Sequence, residues 1–301
     1  MKANIIDQNL CTRCGRCVDL CPAGIYYRRG DTPTAVWEDR TTLCMACGQC
    51  MAVCPTKAVT AGGLDYERDF FEFESPDDSS FFGLIERRRS VRFYSDRPVT
   101  EETLGRIVEA ISFAPPGFTP LKTELSVIAD PDIMKEALPH MVAVYDGLLR
   151  ALKNPIARLM IRRTAGKDTY RVLANHVVPL MTMRMPALKS GAEDTITRGA
   201  PAMVLFHAHH LAENRKEDAF IALAYGLLAA HSLGLGAVAL SLVPAAVERS
   251  RELRVLFRVP DENEVLASMV VGYPVHKYRR GIRRRLRRVE WIVPQANDSP
   301  V

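Results

Sequence analysis

Eight cysteines in two runs of identical spacing constrain this chain more than any other feature. Cys11, Cys14, Cys17 and Cys21, followed by Pro22, read C-x2-C-x2-C-x3-C-P; Cys44, Cys47, Cys50 and Cys54, followed by Pro55, repeat the pattern 33 residues on. No cysteine follows Cys54 in the 301-residue sequence. A disulfide framework spreads its bridges through a fold, and no secretory signal precedes Cys11. The crowding therefore predicts metal ligation in a reducing, cytoplasmic setting. Zinc sites pair C-x2-C with histidine or cysteine at longer spacing, and a third cysteine at x2 followed by x3-C-P is not their pattern.

The spacing is that of bacterial iron–sulfur proteins, in which the fourth cysteine of each run crosses to the other cluster. Residues 1–62 resemble a two-cluster ferredoxin over their whole length. By that pattern Cys11, Cys14, Cys17 and Cys54 hold one 4Fe-4S cluster, and Cys44, Cys47, Cys50 and Cys21 hold the second. Gly62-Gly63 ends the module. Residues 63–80 mix acids, aromatics, Pro76 and Ser79-Ser80, which predicts a linker with some docking contacts. A relay fused to a longer chain implies a client on that chain.

The second part, 81–301, predicts a mixed helix and strand domain. Ser80 caps a short helix running to Arg87, and Thr100 caps another with Leu104, Ile107, Val108 and Ile111 at helical spacing. Strands are expected at Leu125–Ala129, Ala202–His207, Gly236–Val243 and Ser268–Gly272, and a long buried helix at Glu217–Leu233. The stretch from Met134 to Lys189 is helical in pattern, and a lid region of about 134–195 is expected. Its methionines Met181, Met183 and Met185 suit an adaptable lid or core filling alike. His207 and His209 share a strand face, where polar packing is favoured over a metal pair. The apolar run Ala219–Val243 is broken by Gly234-Leu235-Gly236, and so predicts a buried helix and core strand, with no membrane span.

Charge is unevenly placed. The net is +5, yet Lys277 to Arg288 alone holds eight lysines and arginines, leaving −3 on the rest of the chain. A second basic cluster, Arg87-Arg88-Arg89-Ser90-Val91-Arg92, places guanidinium forks beside a hydroxyl, which suits either a phosphate dianion or a solvated helix end. The C-terminal run favours phosphate and subunit contacts over nucleic acid, since few aromatics interleave it.

At this point the sequence resembles the nitroreductase family, in its branch with a fused N-terminal ferredoxin. The resemblance rests on an ordered set: Arg88-Arg89-Ser90-Val91-Arg92, Ala114-Pro115-Pro116-Gly117, Arg198-Gly199-Ala200-Pro201, Leu233-Gly234-Leu235-Gly236, Gly272-Tyr273-Pro274, and Lys277-Tyr278-Arg279-Arg280 through Trp291. It covers about residues 82–292. It implies an α+β fold class, a ferredoxin-like domain followed by an FMN-binding α+β domain, with FMN at a homodimer interface. It assigns the FMN phosphate to Arg88, Ser90 and Arg92, with Arg89 beside them and Arg284 as the C-terminal arginine. Leu235 and Gly236 match a segment lying against the flavin. Pro115, Pro116, Gly117 and Thr119 match a loop that reaches the flavin from the other subunit. Thr119 stands where the family has an asparagine, and Leu121 cannot donate a hydrogen bond.

The implied function is an FMN-dependent oxidoreductase. It passes single electrons through two 4Fe-4S clusters to FMN and reduces a nitroaromatic, a quinone or an activated double bond. A small ferredoxin or flavodoxin is the expected donor, and no side chain is identified as catalytic. Two alternatives carry different signatures. A protein-to-protein relay predicts a filled pocket, and a chain that has lost FMN predicts iron without flavin absorbance.

Overall fold

The computed structural model describes residues 4–73, 80–117, 121–284 and 286–292. In the N-terminal module the cysteine repeat is also a structural repeat. Helix α1 (Arg16–Leu20) and strand β2 (Tyr26–Tyr27) recur 33 positions later as helix α2 (Gln49–Val53) and strand β4 (Val59–Thr60). Left-handed backbone recurs with them: Arg13 and Ala46, Gly15 and Gly48, and Gly24 and Lys57 all have positive φ. Two short antiparallel ribbons close the module. β1 (Ile5–Ile6) pairs with β4, and β2 pairs with β3 (Ala35–Val36). Its small core holds Ile25, Met51, Ala58 and Val59 together with Cys17, Cys50 and Cys54.

The expected linker is more ordered than its composition implies. Asp65 accepts from Glu67 N and Arg68 N and starts the short helix α3 (Tyr66–Asp69). Strand β5 (Phe70–Phe71) then buries Phe70 in the core of the cysteine module. Residues 63–73 are thus part of the docked structure, because two adjacent aromatics find an apolar surface there.

The second domain is a four-stranded antiparallel sheet between two helical layers. Strand order is β6 (Glu124–Ile128), β7 (Ala202–His209), β9 (Asn263–Gly272), β8 (Gly236–Ala239). Over Ala202–Phe206 strand β7 reads as a continuous apolar run because both its faces are covered. Ala202, Val204 and Phe206 pack with α5 (Glu101–Ser112) and α10 (Arg215–Ser232), whereas Met203 and Leu205 pack with α6 (Pro131–Ala151) and α9 (Val178–Ser190). Ser80 and Thr100 cap α4 (Phe81–Arg87) and α5 as expected, through Gly83 N and Thr103 N. Helices α7 (Pro155–Ala165) and α8 (Lys167–Val172) and a π turn at Leu173–Val177 complete the helical stretch between α6 and α9. Met181 and Met185 are buried in the core, so these two fill space.

One expected strand is cut short. The sequence predicts extended chain over Gly236–Val243, but β8 stops at Ala239 and Leu242–Val247 forms helix α11. Pro244 in its first turn fits a helix start, and Ser268 Oγ donates to the Leu240 carbonyl where the chain turns. Helix α12 (Arg251–Leu256) and strand β10 (Gly281–Ile282) follow. Among the described residues no helix is long and apolar enough to cross a membrane.

Strand β8 also receives the basic segment after α4. Ser90 bridges Ala237 in parallel, and Val91 N donates to the Ala237 carbonyl at 3.1 Å. This approach requires glycine at 236, since a Cβ there would stand 2.6 Å from Val91 Cγ1. Gly236→Ala is expected to cost about 1–3 kcal/mol in chemical denaturation through this overpacking.

Candidate cluster and cofactor site

Both sets of cysteines surround cavities, and the chain crossover sets the membership. Cys21, Cys44, Cys47 and Cys50 line one cavity, while Cys11, Cys14, Cys17 and Cys54 line another. Each fourth cysteine receives a backbone donor four residues on: Ile25 N to Cys21 Sγ at 3.4 Å, and Ala58 N to Cys54 Sγ at 3.2 Å. Tyr26 OH lies 3.5 Å from Cys50 Sγ. Burial, then the sulfurs of Cys54, Cys14 and Cys11, push the Cys17 thiol up to about 12. Burial likewise raises Cys21 and Cys50. Thiolates in such a place require a compensating cation, which the iron of a cluster supplies. The donor set fits two cubanes.

The C-terminal basic segment joins this module to the sheet domain. Strand β10 pairs with β5, Arg279 N donates to the Ala52 carbonyl, and Arg283 N donates to the Asp69 carbonyl. Arg280 is buried, with Nη1 2.7 Å from the Cys54 carbonyl and Nε 3.0 Å from Glu72 Oε1. His276 Nε2 meets Asp19 Oδ2 at 2.9 Å. Arg280→Ala is expected to weaken docking by about 1.5–3 kcal/mol, the range for hydrogen bonds to a charged donor. Faster amide exchange around Cys54 and along β5 would report it.

The motif fragments converge around the same seam. Arg89, Val91, Gly234, Leu235 and Tyr278 line a cleft of about 390 Å³. Tyr94 OH donates to the Val91 carbonyl at 2.7 Å, and Tyr94 bridges Pro274. A Cβ at Gly272 would stand 2.7 Å from Pro201 Cδ and 2.9 Å from Tyr94 Cδ1. The Arg198–Pro201 and Gly272–Pro274 fragments therefore meet directly. Asp194 braces the former by accepting from Ile196 N, Thr197 N and Gly199 N.

Among the described residues Arg88, Arg89 and Arg284 form no ion pair. Burial, then Arg88 and Arg284, hold the Arg89 guanidinium down at about 10. Arg88 is lowered by burial and then by Arg284. Arg89 Nε and Nη2 are buried with no hydrogen-bond partner among the described residues. Arg92 donates from Nη1 to the Ser90 carbonyl at 3.1 Å. Arg198, lowered to about 10 by burial and then by Arg92, continues the cationic strip. Such a cluster fits a phosphate dianion. Arg284 Nη2 also lies 3.0 Å from the Cys47 carbonyl, so one side chain spans the arginine cluster and the rim of a cysteine cavity.

Other expected contacts lie apart. Pro115 and Pro116 line a separate cavity with Leu125 and Asp218, and Gly117 N donates to Asp218 Oδ1 at 2.7 Å. Within one chain this loop is not brought to the arginine cluster. Thr119 lies outside the described residues. His207 is buried between Ser126 Oγ and Asn263 Nδ2, while His209 stacks on His210 after a register shift that follows Phe206. Sequence reasoning missed Tyr278 as a site residue. It packs against the cores of both domains, and its OH donates to the Ser90 carbonyl at 3.4 Å. An aromatic between Lys277 and Arg279 was the available signal.

The nitroreductase family model matches residues 85–273, and a 4Fe-4S dicluster domain model matches residues 10–59. The chain belongs to the nitroreductase family. Family and dicluster domain together specify its cofactors, FMN and two 4Fe-4S clusters. Iodotyrosine deiodinase 1 of Rattus norvegicus is 25% identical over 202 residues, 64% of this chain and 62% of that protein. The chain thus spans less than two thirds of that relative's length. A nitroreductase with bound FMN from Bacteroides fragilis NCTC 9343 is 17% identical, covering 71% of this chain and 94% of its own, with a TM-score of 0.46. Another with bound FMN, from Desulfitobacterium hafniense DCB-2, is 16% identical, covering 70% and 96%, with a TM-score of 0.48.

Proposed function

We propose that this nitroreductase-family protein is an oxidoreductase that takes electrons singly from a small ferredoxin or flavodoxin and reduces an organic acceptor at FMN. Its clusters would supply a one-electron relay and its FMN two-electron chemistry at the acceptor. The observation that carries this reading is Arg284, bonded to the Cys47 carbonyl and within electrostatic reach of Arg88 and Arg89.

The chain's own groups divide the work. Cys11, Cys14, Cys17 and Cys54 would hold the first cluster, and Cys21, Cys44, Cys47 and Cys50 the second. Arg88, Arg89, Ser90 and Arg284 would grip the phosphate, while Leu235 and Gly236 supply a close backbone surface. Arg92 and Arg198 would favour negative charge further along the cofactor. Pro115, Pro116, Gly117 and Thr119 would serve the site of a second copy. Phe220, Ile221 and Tyr225, exposed on α10, offer an apolar face for that copy.

The expected acceptors are nitroaromatics, quinones and activated double bonds, and the likeness to iodotyrosine deiodinase 1 adds halogenated aromatics. Anaerobic purification with iron, sulfide and flavin quantified, then reduction by NAD(P)H or by reduced ferredoxin, tests the reading. Reduced ferredoxin is expected to bleach clusters and flavin together. Bleaching of flavin by NADH ahead of the clusters would reverse the proposed direction.

A further inference from the structure

The two halves of the cysteine module repeat one another, yet their outer faces differ. Around the second cavity the module is covered. A Cβ at Gly48 would meet Phe70, Leu64 and Ile282 at 3.3–3.4 Å, and Gly24 makes room for the Arg184 guanidinium of α9. Arg284 reaches the Cys47 carbonyl on the same side. Gly15, the repeat partner of Gly48, faces only the Arg28 guanidinium, at 3.8 Å, among the described residues. Cys14 is exposed, whereas its counterpart Cys47 is half-buried.

The open face is cationic. The first ligand loop carries Arg13 and Arg16 where the second carries Ala46 and Gln49. Arg16 lines the cavity of Cys11, Cys14, Cys17 and Cys54. Arg28, just past the end of β2, donates from Nη1 to the Arg13 carbonyl, so three arginines surround the Cys14 loop. None of them forms an ion pair among the described residues, and Asp19, the acid of the adjoining helix, is taken by His276. Leu10, beside Cys11, is 48% exposed. An apolar residue and an exposed redox ligand within a charged rim have the layout of a protein contact.

We propose that this face is the docking port for a small acidic ferredoxin, with Leu10 and Cys14 at the centre of the contact and Arg13, Arg16 and Arg28 at its rim. The rim selects the partner's sign, and the exposed cysteine selects a redox partner. Lipid or nucleic acid would engage the cations and leave Cys14 without a use. One electron leaves the ferredoxin and arrives at the site of Cys11, Cys14, Cys17 and Cys54; no bond forms and no proton moves. The covered second site then leads to the seam of Tyr278 and Arg284. The port belongs to residues 10–28, outside the family-matched residues 85–273 and separate from the loop and α10 face that serve a second copy. The inference rests on the proposed direction of electron flow and adds the surface through which electrons enter.

Oxidised plant-type 2Fe-2S ferredoxin, an acidic protein, titrated calorimetrically into the anaerobically purified holoprotein tests docking without turnover. Saturable binding is expected, weakening as salt rises. R13E/R28E, with the iron content of the parent, is expected to bind roughly 10-fold or more weakly and with a flatter salt dependence. R287E/R288E, in the C-terminal basic run, is expected to bind as the parent does. Reduced methyl viologen, which needs no docking face, is expected to reduce R13E/R28E no more slowly than the parent. If R13E/R28E loses iron, Arg28→Glu alone, outside the ligand loop, carries the test. Absence of binding by the parent, unchanged binding by the rim variant, or loss confined to R287E/R288E would overturn the proposal. So would a shifted cluster potential with unchanged affinity, which would make the arginines tuners of the cluster. In those cases reduction of the parent's flavin by reduced ferredoxin would still support the redox reading. Rim-dependent binding with NADH bleaching the flavin ahead of the clusters would instead overturn the direction of flow and keep the port.

Discussion

Cys54→Ala is expected to remove the cluster site of Cys11, Cys14 and Cys17 while sparing that of its own run, Cys44, Cys47 and Cys50. Cys54 is buried in the cavity lined by the first three cysteines, where Ala58 N holds its sulfur at 3.2 Å. Cys21→Ala is expected to do the converse. Each variant should retain about four irons per chain, the content of one cubane. Assignment by sequence proximity predicts the opposite pairing of variant and surviving cluster, which paramagnetic resonance on the reduced proteins distinguishes. Stability should fall as well. The module's core is small and includes Cys17, Cys50 and Cys54, so free energy of cluster binding is also free energy of folding. Loss of both sites, with unfolding of the module, would show that the cavities form one cooperative unit rather than two separable ones.

The structural repeat behind that prediction was legible because ligand spacing fixes backbone path. Three thiols at two-residue gaps can face one cluster only if the loop takes left-handed turns. Arg13 and Ala46 adopt them although neither is glycine. The sheet of the second domain was legible in its helices and less so in its strand ends. Alternation at Ala202–Phe206 gives no contrast when both faces are buried, and β8 ends where a serine on a neighbouring strand captures a carbonyl. The basic C-terminal run was least legible. Arg280 is buried against Cys54 and Glu72, Arg284 spans two sites, and Arg288 is exposed, yet the letters are identical. Only contacts remote in sequence separate them. The Pro115–Gly117 loop illustrates a different limit. Its position is fixed by Asp218, but its expected use lies on another copy of the chain.

The arginine cluster leads to the second large effect. At neutral pH Arg88 and Arg89 are charged in both folded and unfolded chain, while the fold holds them partly buried beside Arg284. A depressed basic group destabilises the fold wherever it is protonated. That cost is full at neutral pH and is relieved only as pH rises through the folded value, about 10 for Arg89. An anion seated among the three removes the cost by pairing them. Arg89→Ala is therefore expected to raise the unfolding temperature of the cofactor-free protein and lower that of the FMN-loaded protein. R88A/R89A is expected to weaken FMN binding by roughly 100- to 10,000-fold, because each charge-assisted hydrogen bond is worth about 1.5–3 kcal/mol. Riboflavin, which lacks the phosphate, supplies the control. The parent protein is expected to prefer FMN over riboflavin strongly, and R88A/R89A to bind the two alike. If the double variant keeps its preference for FMN, the phosphate is held elsewhere, and the unpaired charge at Arg89 answers to a different anion.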